Sequence, residues 1–157
     1  MIQAVASPNA VLADDTIRDT LLRGLAGQFA HQKVLVLIPD HTRTIPLPLL
    51  FRGVNEALHD AKQLDFMVAL GTHPALSDES LNKLVGITAA ERAGQYRHVG
   101  LLNHAWDNPD ALTTLGTIEQ AQIQQIAGDV WHPSLGGDVD IRINKQILNY
   151  DHLIILG

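Results

Sequence analysis

Cysteine is absent from this sequence of 157 residues, which excludes disulfides and thiolate metal sites and leaves His, Asp and Glu as the strong metal ligands. Aromatic residues are scarce, with three Phe, two Trp and two Tyr beside eight histidines, an uneven mix. Cations are few as well. Eleven Lys and Arg stand against seventeen Asp and Glu, a formal charge of −6, and the basic residues are scattered, which disfavours a nucleic-acid partner. No apolar run reaches the length of a membrane span, and no charged amino-terminal region precedes an apolar segment, so neither a signal peptide nor a membrane helix is expected and the cytoplasm is the default compartment. Internal repeats, low-complexity linkers and charge runs are also lacking, and the length suits one domain, residues 1–157, with a core of its own.

What is present is concentrated in Val34 to Pro46, reading VLVLIPDHTRTIP. Five apolar residues without alternation, Val34 to Ile38, read as a strand buried on both faces of a parallel sheet. Pro39 ends it. A carboxylate, an imidazole, a hydroxyl and a guanidinium follow in consecutive positions (Asp40, His41, Thr42, Arg43), and Pro46 and Pro48 mark a helix start. In open α/β sheets ligands lie beyond the carboxyl ends of strands, where this polar loop falls. The Arg43 fork suits a carboxylate or phosphate. The plainer interpretation is a surface turn in which Asp40 caps the helix and Arg43 pairs with it.

Upstream, residues 1–13 form a lead-in with a Ser7-Pro8-Asn9 turn signal. Asp14 or Asp15 then caps a helix whose Ile17, Leu21, Leu22, Leu25 and Phe29 share one face. Leu49, Leu50, Val54, Ala57 and Leu58 give the stripe of the helix after the first strand.

The unit then repeats. Leu64 to Leu70 is a second apolar strand running into Gly71-Thr72-His73-Pro74; Ser77 caps a helix closed by Gly86; Thr88 and Glu91 have capping-box spacing. Val99 to Leu102 is a third strand, followed by Asn103-His104-Ala105-Trp106-Asp107, so three polar loops converge on one edge. Leu112 to Leu115 reads as a strand, Thr117 to Ile126 as a weak helix, Asp129 to Asp138, with Trp131, His132, Pro133, Gly136 and Gly137, as a loop, Val139 to Ile143 as a further strand, Lys145 to Leu148 as a helical turn, and Leu153 to Leu156 as a last strand. The pattern predicts an α/β fold: a three-layer, Rossmann-like domain with a mainly parallel sheet and helices on both faces.

Taken together, Asp40-His41-Thr42-Arg43 with Pro46, Gly71-Thr72-His73-Pro74, His104 with Trp106-Asp107, and Asn144 in IRIN resemble the amino-terminal part of the lactate racemase family. That family carries an Asp-x-Thr-Arg loop after one strand, a Gly-x-His-(Arg)-Pro loop after the next, and an Asn in a strand-like segment before a second histidine. The resemblance runs from about Val34 to Gly157. It implies an isomerase of the racemase or epimerase type, in which a nickel-pincer nucleotide tethered to a lysine interconverts the enantiomers of a 2-hydroxy acid by hydride transfer while two histidines move the proton.

By the same resemblance His73 is the first of those histidines, a role an imidazole suits near neutrality. Arg43 and Asp40 are substrate-binding: Arg43 fixes the substrate carboxylate or the cofactor, and Asp40 orients its loop and contacts the bound ligands. Thr42 and Thr72 are cofactor-binding, and no metal ligand is assigned in this chain. Two positions depart from the pattern: Pro74 follows His73 where the best-known members have Arg, and Thr44 stands where many have proline. The second histidine, the Gly-rich segment with the tethering lysine and the nickel-binding histidine are expected beyond Gly157, so the chain is expected to be the truncated amino-terminal catalytic domain of a longer protein, inactive alone. Its expected partners are a small 2-hydroxy acid and the carboxyl-terminal portion of the same protein, with self-association through exposed apolar surface. Lys145 is expected to be a solvated helix residue instead of a tether, and His104 to be structural, stacking near Trp106 or bonding backbone. The competing classes are an anion- or nucleotide-binding module without catalysis, and a metal-dependent hydrolase with His41, His73 and His104 as ligands.

Overall fold

Four parallel strands form the main sheet of the computed structural model, which describes residues 2–132, 134 and 136–157. They are β1 (Lys33–Ile38), β2 (Gln63–Val68), β3 (Gly100–Asn103) and β6 (His152–Ile155), in the spatial order β3-β2-β1-β6. The register sets Val36 beside Phe66 and Ile154, and Phe66 beside Leu101. The chain therefore grows outward from β1 through β2 to β3, then returns to add β6 on the other side of β1. That reversal is a topological switch point, where adjacent strand ends diverge and leave a crevice.

Between β3 and β6 lies an antiparallel ribbon, β4 (Leu112–Ile118) with β5 (Val139–Asn144), whose register shifts between Thr114 and Gly116. The helix expected from Thr117 to Ile126 begins later, at Gln120. Thr117 and Ile118 pair with Asp140 and Val139 as the end of β4, and the helix α5 runs from Gln120 to Ala127. Cross-strand pairing outweighs the weak helical preference of those two β-branched residues. Pro133 of the expected loop lies outside the described residues.

The other helices are α1 (Asp14–Leu25), α2 (Leu47–Ala57), α3 (Asp78–Leu84) and α4 (Ala89–Ala93). Val34, Val36 and Ile38 of β1 and Leu64, Phe66 and Val68 of β2 face Phe51, Val54 and Leu58 from α2 and its end, together with Leu81, Val85 and Tyr96. Phe51 is fully buried, its ring 4.8 Å from Phe66 and 5.1 Å from Tyr96 between centroids. Leu21 and Leu25 of α1 pack against the same cluster.

The opposite face carries Leu35, Asp65 and Met67, all buried, and is approached by β5 and the 3-10 turn Lys145–Asn149, whose Ile147 lines a small cavity with Leu37 and Met67. The α/β class with a parallel sheet flanked by helices is thus borne out.

Caps follow the sequence closely in two places. Ser77 Oγ accepts from the Ser80 N–H at 3.2 Å, and Thr88 and Glu91 form the reciprocal capping box at 3.1 and 2.8 Å. At α1 the residue before the helix is Ala13, with no side-chain cap; Asp14 and Asp15 sit inside the first turn, where their charge meets the positive end of the helix dipole. Gly86 ends α3 at φ +70°, and a Cβ there would lie 2.6 Å from Pro48 at the start of α2.

One buried carboxylate joins the layers. Asp65 Oδ1 accepts the Gly100 N–H at 2.6 Å, and its Oδ2 accepts from Gln63 Nε2 and Tyr150 O–H, both at 2.6 Å. Burial, then the bond to Asp65, pushes the Tyr150 phenol up from its ordinary value, so it stays a donor. Asp65→Ala would leave three donors without their acceptor and is expected to cost about 3 kcal/mol in urea unfolding. Tyr150→Phe should cost less, because two partners remain on the carboxylate.

Candidate functional site

The loop after β1 is folded by its own carboxylate. Asp40 Oδ1 accepts the Thr42 N–H at 3.0 Å and the Thr42 hydroxyl at 2.5 Å, and the Arg43 N–H returns to the Asp40 carbonyl at 3.3 Å. This is the local turn that an Asp after a strand-ending Pro favours. The helix cap at Asp40 that the plainer interpretation offers is not formed, since Pro46 precedes α2 without a side-chain cap. The second oxygen of Asp40 is left to face the next loop, where it meets His73 Nδ1 at 2.6 Å. The Asp40 side chain is 12% exposed and His73 50%.

Hydrogen bonds from Thr42 and His73 hold the Asp40 carboxyl well below the ordinary carboxylate range. An ionised carboxylate only accepts, so His73 Nδ1 carries the proton, and in the neutral ring Nε2 is the basic nitrogen. The pair is a base with its tautomer set by a neighbouring charge.

The loop that carries His73 is braced from behind. Asn103, at the end of β3, takes the Leu76 N–H at 3.0 Å and gives its own N–H to the Leu76 carbonyl at 2.9 Å. The Trp106 indole N–H donates to the His73 carbonyl at 3.1 Å. The three polar loops after β1, β2 and β3 therefore meet through side chains. Asn103 and the bond made by Trp106 carry no signal as single letters in a sequence; only their position after the third strand hints at them.

A cavity of about 480 Å³ opens at these strand ends, lined by Asp40, Thr42, Arg43, Thr72 and His73 with Ile155 and Leu156. Its floor spans the switch point between β1 and β6. The five residues to which the resemblance gives a catalytic or binding role all line it, whereas His41, His104 and Asn144 do not. The Arg43 guanidinium has no hydrogen-bonding or ionic partner among the described residues, and it does not pair with Asp40. The proton of the Thr42 hydroxyl is committed to Asp40, which leaves that oxygen as an acceptor, whereas Thr72 has no such commitment.

The remaining histidines separate. His104 bonds the side chain of the buried Asn144 at 3.0 Å, tying the ribbon to the main sheet; this side-chain partner stands in place of the expected stacking near Trp106 or bond to backbone. His132 bonds Ser134 in the loop before β5. His41 is exposed, its ring centroid 6.3 Å from that of His73. Among the described residues no group of three or more His, Asp or Glu is placed to hold a metal ion, so the hydrolase reading lacks its ligand set. Lys145 is exposed on the 3-10 turn, as expected, and does not line the cavity.

Residues 16–157 match the family described as the lactate racemase N-terminal domain. The chain belongs to that family. No curated protein matches it. A crystal structure of a Thermotoga maritima protein superposes with a TM-score of 0.76 at 24% identity over 92% of this chain, which bears on the fold alone. This lactate racemase N-terminal domain spans about one third of that protein, 33% of its length. No helix among the described residues is long and apolar enough to cross a membrane.

Proposed function

We propose that this lactate racemase N-terminal domain forms one wall of the active site of a longer racemase or epimerase acting on a 2-hydroxy acid, with His73 as an acid–base catalyst. The observation that carries the proposal is the 2.6 Å contact between His73 and an ionised Asp40 at the mouth of a cavity that also holds an arginine without a partner among the described residues. Arg43 takes the substrate carboxylate in a two-bonded fork and so orients C2. His73 Nε2 accepts the proton of the C2 hydroxyl as the hydrogen on C2 departs with its electron pair, and returns that proton when the hydrogen comes back on either face. Asp40 holds the ring in the required tautomer and stabilises it when it is protonated.

The cavity's donors suit the anionic groups of a nickel-pincer nucleotide. A guanidinium and the Thr72 hydroxyl stand beside Gly71, where a side chain would meet no atom within 4 Å and the backbone is open to a ligand. Thr72 and Arg43 would hold such a group, with Thr42 as an acceptor. When bound, the nucleotide supplies a reversible two-electron acceptor. The lysine that tethers it and the second histidine belong, on this reading, to the carboxyl-terminal part of the protein, which would also cover the exposed Leu148, Leu153 and Ile155.

The test is to give the full-length protein one enantiomer of a 2-hydroxy acid and follow optical rotation. Decay to zero is expected. Tight binding with no loss of rotation would favour the anion-binding module instead.

A further inference from the structure

Beside the cavity that holds His73 lies another of about 470 Å³, lined by His41, Leu76, Ser80, Lys83 and Leu84. The same two loops contribute to both. His41 sits between Asp40 and Thr42, which both line the first cavity, and Leu76 is three residues beyond His73 in the loop that Asn103 clamps. The rings of His41 and His73 stand 6.3 Å apart between centroids, so a ligand reacting at His73 needs only a short chain to reach the second cavity.

The chemistry of that cavity is specific. Leu76 and Leu84 provide an apolar wall for methylene groups, while Lys83 and His41 provide N–H donors at its rim. Lys83 makes no ion pair among the described residues, although Glu79 lies one helical turn earlier. Among the described residues no carboxylate lines the cavity. An ammonium with no ionic partner among the described residues, beside an imidazole and an apolar wall, suits a second anionic group at the far end of a short aliphatic chain.

We propose that this second cavity is a specificity subsite, and that the preferred substrate is a 2-hydroxy acid carrying a second anionic group at its far end. Arg43 takes the carboxylate next to the reacting carbon, and Lys83 with His41 takes the distal one. The inference rests on the reading of His73 and Arg43 given above.

Calorimetry on the full-length protein separates the two readings. The probes are 2-hydroxyglutarate and 2-hydroxypentanoate, five-carbon acids that differ in the terminal carboxylate. The expected result is a preference of about tenfold or more for the diacid, abolished in Lys83→Gln with affinity for 2-hydroxypentanoate unchanged, and retained in His73→Asn. Added salt should shrink it, since Lys83 is exposed. Equal affinity for the two acids, including no binding of either, or a preference that survives Lys83→Gln, overturns the subsite. A preference that behaves as expected in a protein that racemises neither acid leaves the subsite standing and removes the catalytic role of His73.

Discussion

His73→Asn in the full-length protein is expected to lower kcat for 2-hydroxy acid racemisation about 10³-fold while changing KM little. The magnitude follows from what positioned proton transfer contributes, ~10²–10⁴-fold in enzymes generally. The split between kcat and KM follows from the geometry. Arg43 is a separate cation on a different loop, so the carboxylate is still fixed when the imidazole is gone. Stability should be nearly unchanged, because the His73 side chain is half exposed and its loop is held by Asn103 and Trp106 through backbone groups that the variant keeps. A kcat that falls less than tenfold would remove His73 from the proton step.

The second large effect concerns Asp40, a positioning residue on this account. Asp40→Asn keeps the shape but loses the charge, and an amide does not force the His73 proton onto Nδ1. A fall in kcat of about 10²-fold is expected, less than the ~10⁴-fold seen when the orienting carboxylate of such a pair is fully buried, since solvent reaches half of the His73 side chain. A structural role alone would not change the ring's protonation pattern. Nitrogen NMR of His73 should therefore show Nδ1–H in the wild type and a mixture of tautomers in Asp40→Asn.

The same carboxylate gives a stability signature with a definite sign. Its folded value is depressed, so between the ordinary carboxylate value of ~3.9 and the lower folded value the unfolded chain binds more protons. The stabilisation is fully present above ~4 and is lost as pH falls through the folded value. The stability difference between wild type and Asp40→Asn should hold near neutrality and shrink in acid.

The parallel strands and their loops are legible in the sequence because a run such as Val34 to Ile38 has few alternatives once Pro39 closes it. The capping box at Thr88 and Glu91 is legible for a similar reason: both halves of the interaction are local. The two motif loops stand out because Asp40, Arg43 and His73 are chemically conspicuous after strand ends, and all three line one cavity.

What escapes a reading of the sequence is long-range. The return of β6 beside β1, which creates the crevice, depends on a chain reversal across the β4–β5 ribbon, and nothing near Leu153 announces its neighbour. Asp65 stands in plain view as a charge inside the apolar run LDFMVAL, yet its partners Gly100 and Tyr150 come from distant segments. Thr117 and Ile118 read as helical because their strand partners, Asp140 and Val139, lie beyond the whole of α5 and the loop that follows it.

The most direct measurement is isotope tracing with a single enantiomer of a C2-deuterated 2-hydroxy acid, racemised by the full-length protein in ordinary water. With His73 handling only the hydroxyl proton, the deuterium leaves C2 with its electron pair and returns to the same carbon, so both enantiomers of the product are predicted to keep the label. Washout of deuterium in step with racemisation would mean that C2 loses a proton instead, and would contradict the account.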